Sequence, residues 1–173
     1  MPETTFPASQ WHDYFMTVGA GAAALTGLVF VAMTLHLDEI TNNTVHRHRA
    51  RTILAGLTAV FIRCALVLMG GQDAQAVAVE LIAVLALVEV LLYRSTMEAA
   101  RDADTRVLLR AIGSFACLVL EQVGALILFF GSSWGLYVVG LGMMSSFIFM
   151  VTGAWLLLVG VGLREATEAR SAP

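Results

Sequence analysis

Apolar residues along this chain come in long runs rather than in alternation with polar ones. Five such runs, over residues 14–37, 52–69, 76–93, 107–130 and 135–163, are each near the ~20 residues that a helix needs to cross ~30 Å of hydrocarbon. Each predicts a helix, because in lipid only helices and closed barrels satisfy every backbone N–H and C=O group. Barrel strands would show a two-residue alternation that these runs lack. The expected fold class is therefore all-α, an integral membrane bundle of five transmembrane helices forming one domain over residues 1–173. No linker, internal repeat or soluble module interrupts it. Composition agrees: with 58% hydrophobic and 13% charged residues and a mean hydropathy of +0.81, the chain has more apolar surface than a water-soluble fold would bury.

Charge orients the bundle. All ten basic residues are arginine. Arg47, Arg49 and Arg51 fall between the first two runs, and Arg94, Arg101 and Arg106 between the third and fourth, with Arg110 just inside the fourth. Arg164 and Arg170 follow the fifth. Five crossings bring these segments to one side, which the positive-inside rule makes cytoplasmic. The N-terminus is then outside and the C-terminus inside, as in a multi-pass protein of a bacterial inner membrane. The loop arginines are candidates for lipid-headgroup or other cytoplasmic contacts, which they suit better than nucleic acid. Residues 1–13 contain Glu3 and Asp13 and no basic residue, so the first run reads as a retained helix rather than a cleavable signal peptide. Trp11, Tyr14, Trp134 and Tyr137 fall at the outer interface, where amphipathic rings concentrate. Cys64 and Cys117 lie at unlike depths in their spans, which argues against a disulfide.

Charges inside the runs are fewer. Arg63 and Glu80 stand equally far from the turn at Gly71–Gln72, each roughly 13 Å below its apex at 1.5 Å per residue. Matching depth predicts an ion pair between the second and third helices, since a charge in hydrocarbon faces protein or water. Glu121 lies roughly 17 Å below the next outer turn, close enough to join them, with Gln122 beside it. Two carboxylates around one cation form either a structural knot that fixes helix register or a station on a proton path. Glu89 is half a turn around from Glu80, nearer the cytoplasmic end, in position to snorkel toward Arg94 or Arg51, with a second station on a proton path as the alternative.

Small residues recur at four-residue spacing in Gly19, Ala23 and Gly27 and again in Gly142 and Ser146. Such strips let another helix approach closely, in this chain or in a second subunit. Other strings carry less chemistry. Gly131-Ser132-Ser133-Trp134-Gly135 spells G-x-S-x-G, with His12 and Asp13 on the same predicted side, but the hydrolase motif needs a strand leading into a helix. His46 and His48, two residues apart on a helix between arginines, point in different directions and do not suit a metal. His36 beside Asp38 and Glu39 reads as an interfacial cap, and the methionines as packing. No catalytic set, metal site or cofactor cradle is expected.

Trp11-His12-Asp13-Tyr14-Phe15 and the stretch Val18-Gly19-Ala20-Gly21-Ala22-Ala23-Ala24-Leu25-Thr26-Gly27 resemble the opening of a family of small five-span bacterial membrane proteins. Gly71-Gln72 followed by Glu80-Leu81 is similar to that family's second-hairpin signature, although Gly70 stands where the family often has proline. Many members are labelled modulator of FtsH protease. The resemblance implies an accessory of a membrane protease and carries no catalytic residue. The expected function is thus non-enzymatic, exerted through helix-mediated assembly with itself or another membrane protein. The alternative is an oligomeric ion or proton pathway using Arg63, Glu80 and Glu121.

Overall fold

The computed structural model describes residues 8–35, 44–99 and 105–171. They form five helices, α1 (Ala8–Leu35), α2 (Thr44–Leu68), α3 (Ala74–Ala99), α4 (Thr105–Phe129) and α5 (Trp134–Ser171), with no strand among the described residues. The all-helical fold class read from the apolar runs is the one observed. Each helix contains a stretch long and apolar enough to cross a membrane: Trp11–Leu35, Ala50–Leu68, Ala74–Arg94, Ile112–Phe129 and Trp134–Leu156. Only 22–39% of each stretch is buried inside the bundle. Leu28, Phe30, Leu35, Leu87, Leu141 and Ile148 instead face outward, an apolar exterior that calls for lipid rather than water. Several hydroxyls on these helices bond to their own backbone. Thr17, Thr26, Ser145 and Thr152 each donate to the carbonyl four residues earlier at 2.7–2.9 Å, so they need no solvent.

Two glycine turns share one end of the bundle, the turn end. Gly71 and Gly131 have φ of +83° and +85°, the left-handed region that a Cβ disfavours. After α4, Ser132 N–H donates to Ile127 O at 3.2 Å and Gly131 N–H to Leu128 O at 2.9 Å, the paired bonds of a Schellman cap. The G-x-S-x-G string is thus a helix stop and restart. At the other turn, Asp73 Oδ1 accepts from Ala76 N–H at 2.7 Å and caps α3. In the sequence, Thr41, Asn42, Asn43 or Thr44 could each cap α2; the first three lie outside the described residues.

The aromatic residues also gather at the turn end. Trp11 packs edge-on against Tyr14 and Tyr137, with ring centroids 5.6 and 4.7 Å apart, and Tyr14 Oη donates to Gly140 O at 2.6 Å. This cluster clips α1 onto α5. Below it, all five helices share a core that includes Phe15, Cys64, Leu81, Leu128 and Met143. At the opposite end, the arginine end, the described core is built by α1, α2 and α5 alone, from Val29, Ala50, Ile53, Leu57 and Ala154. There α3 and α4 contribute nothing to it among the described residues.

The small-residue strips behave differently from one another. A Cβ on Gly19 would sit 3.0 Å from Cys64 Cβ, so Gly19 receives α2. Ala23 and Gly27 are exposed, and a Cβ on Gly27 would meet nothing within 4 Å. Of the two neighbours left open for the strip, α2 of the same chain meets Gly19, while Ala23 and Gly27 remain uncovered among the described residues. Each four-residue step leaves a side chain about 40° further round the helix, so the strip rotates out of the α2 interface.

Candidate functional site

Arg63 on α2 and Glu121 on α4 are 1% and 0% exposed, and they meet. Arg63 Nη1 donates to Glu121 Oε2 as an ion pair, while Arg63 Nε donates to Ala59 O at 3.0 Å. Ser146 on α5 donates its hydroxyl to Glu121 Oε1 at 2.7 Å. One turn earlier on α5, a Cβ on Gly142 would collide with Glu121 Cγ and lie 3.0 Å from Glu121 N. Gly142 thus makes the slot for the carboxylate's stem, and Ser146 supplies a donor at its tip. The α5 pair is an interface, and its neighbour is α4 of the same chain. Three helices are cross-tied at one buried point, where each charge has a counterion and hydrogen bonds.

Glu80 is not part of this knot, which corrects the expectation that it pairs with Arg63. Its Oε1 accepts from Gln72 Nε2 at 2.8 Å, and its Oε2 and Gln72 Oε1 are buried without a partner in the described structure. The reason lies in helix polarity. Side chains lean toward the N-terminus of their own helix. α2 climbs toward the turn and α3 descends from it, so Arg63 leans away from the turn and Glu80 toward it. Equal backbone depth therefore becomes unequal side-chain depth. Arg63 drops to the level of Glu121, and Glu80 rises to Gln72, a partner that the sequence reading missed. The signal was available in the short spacing of the two residues across the start of α3.

Gln122 also stays out of the pair; its Oε1 is buried and unpartnered among the described residues. Glu89 is half-buried, and neither Arg51 nor Arg94 lies within ion-pair distance of it. Both thiols are free: Cys64 is buried and Cys117 half-buried, with Cys64 Sγ 3.9 Å from Met143 Sδ. Arg47, Arg51 and Arg94 are exposed at the arginine end. Arg101 and the side chains of Arg49 and Arg106 lie outside the described residues, as do those of His36, His46 and His48. No three His, Cys, Asp or Glu side chains among the described residues converge as a metal site would require.

A cleft of about 470 Å³, within the roughly 300–1,000 Å³ range of sites that hold organic ligands, runs between α2 and α3 and is backed by α4 and α5. Arg51 and Arg94 stand at one end and Arg63 and Ser146 at the other, with Ser114, seven residues before Glu121 on α4, on the wall between them. The walls between are apolar, with Ala55, Val88, Leu91 and Met150 among them. Ala55 and Leu91 are themselves exposed, so the cleft opens sideways along its length. Its depth is the twelve-residue rise from Arg51 to Arg63, roughly 18 Å. Sequence reasoning marked the charged residues at both ends but not the space that joins them, because helix direction leaves no signature in periodicity.

No family model, curated protein or solved structure matches the chain.

Proposed function

We propose that this chain is a multi-pass protein of a bacterial inner membrane, with its arginine end in the cytoplasm and its N-terminus outside, that acts by docking against other membrane helices rather than by turnover. The observation that carries this reading is the outward face of α1. Ala20, Ala23, Ala24 and Gly27 are all exposed, and no described residue occupies the space over Gly27. A face this thin lets a second helix reach backbone distance, where packing and weak Cα–H contacts drive association in lipid. The partner is a second copy or a membrane protease, as the resemblance of the first span and second hairpin implies. The knot supports the same reading. Arg63 is spent on Glu121, and Glu80 sits at a separate station on Gln72, so the two acids do not share the cation that a proton path would use.

Cysteine cross-linking in native membranes tests the proposal. In a chain with Cys64 and Cys117 replaced by alanine, cysteines introduced at Ala23 or Gly27 are expected to form specific cross-links, to self or to one recurrent membrane protein. A cysteine at Val79, exposed on α3, should form none. Equal, diffuse reactivity at all three positions would overturn the reading.

A further inference from the structure

The cleft between α2 and α3 has a chemistry that the docking face does not explain. It has two charged ends, but they differ. At the inner end Arg63 is already neutralised by Glu121. At the mouth, Arg51 and Arg94 are exposed, and no carboxylate among the described residues lies within ion-pair distance of either. Among the described residues, the positive charge in the cleft that has no ion-pair partner is thus at the mouth, and the lining between the two ends is apolar apart from Thr52, the Cys117 thiol and the Ser114 hydroxyl. The roughly 18 Å depth is close to the thickness of one leaflet, half of ~30 Å. The lateral opening past Ala55 and Leu91 faces the hydrocarbon that would surround the bundle.

We propose that the cleft holds one acyl chain of an anionic phospholipid, with its phosphate bridging Arg51 and Arg94. A molecule with a negative head and an apolar tail of leaflet length matches the cleft in charge, in polarity and in depth. A zwitterionic lipid brings a cation to the two arginines, and a free phosphate leaves the apolar walls unfilled. Arginine suits the head group because its planar fork donates two parallel bonds to phosphate oxygens. The tail passes Ser114 and reaches the polar floor at Ser146, where the buried pair ends the cleft. The bound chain fills the gap that α3 and α4 leave beside the core at the arginine end, so the lipid acts as a structural ligand between α2 and α3. This inference requires the bundle to span a membrane but not the docking of α1, so each can fail without the other.

Two measurements test it. The full-length protein in nanodiscs of phosphatidylglycerol or of phosphatidylcholine is treated with N-ethylmaleimide, and alkylation of Cys117, which lines the cleft, is followed peptide by peptide. Phosphatidylglycerol is expected to slow alkylation several-fold relative to phosphatidylcholine, and glycerol 1-phosphate added to the latter should give no protection. Separately, phospholipid retained after detergent purification is quantified by native mass spectrometry. One anionic lipid per chain is expected for the wild type. The double variant Arg51→Ala/Arg94→Ala should hold it about tenfold or more less tightly, each basic side chain near an anionic surface contributing appreciably. Ala55→Trp, which fills the cleft and leaves both arginines in place, should abolish retention. Equal Cys117 protection by both lipids, or retention unchanged in both variants, would overturn the proposal; the nanodisc comparison uses the unaltered chain and stands whether or not a variant folds.

Discussion

At the scale of single residues, the direction in which a side chain leans decides its partner. Arg63 and Glu80 share a backbone depth, yet antiparallel helices send their tips apart, and Glu121 receives the cation instead. Glu121→Gln would keep an acceptor for Ser146 but leave Arg63 buried without a counterion. Removing one partner of a buried pair typically costs about 3–5 kcal/mol, and reversible unfolding in mixed micelles should show a loss of that order. Glu80→Gln keeps a carbonyl for the Gln72 amide and should lose about 1 kcal/mol or less. Arg63→Met/Glu121→Met, which removes both charges, should recover most of the loss, since apolar replacement of a whole buried pair is often neutral. A double variant as unstable as Glu121→Gln alone would contradict this account of the pair. The identities of the buried charges were legible in the sequence, because a charge within an apolar run stands out. Their pairing was not, because rise per residue gives depth and says nothing of lean or azimuth.

At the scale of elements, hydropathy alone marked all five helices, and the apolar stretch of α1 begins at Trp11 where the apolar run suggested Tyr14. Small-residue spacing marked places of close approach but not the neighbour. Gly142 and Ser146 form a built receptacle for Glu121, whereas Gly19, Ala23 and Gly27 divide between an internal contact and an open face. The two glycines should therefore respond oppositely to the same change. Gly142→Leu forces a branched side chain into the stem of Glu121, and overpacking of this kind costs about 1–3 kcal/mol. Gly27→Leu meets empty space and should shift unfolding by no more than about 0.5 kcal/mol while weakening cross-links through α1. A stability loss at Gly27 equal to that at Gly142 would show that α1 packs elsewhere than described.

For the whole molecule, the bundle has two unlike ends. The turn end is closed by aromatic packing and a core shared by all five helices; the arginine end has a narrower core and an open cleft. The closed end was foreshadowed by Trp11, Tyr14, Trp134 and Tyr137, while the cleft emerges only when helix directions are known. The central claim is that these ends face opposite sides of a membrane, with the arginines inside. Single cysteines at Ser133, in the exposed turn between α4 and α5, and at Arg94, at the cleft mouth, in a chain otherwise free of cysteine, test it directly with a membrane-impermeant maleimide on intact cells. The account predicts labelling of the Ser133→Cys variant at once and of the Arg94→Cys variant only after the membrane is opened. Labelling of both from outside, or the reverse order, would contradict it.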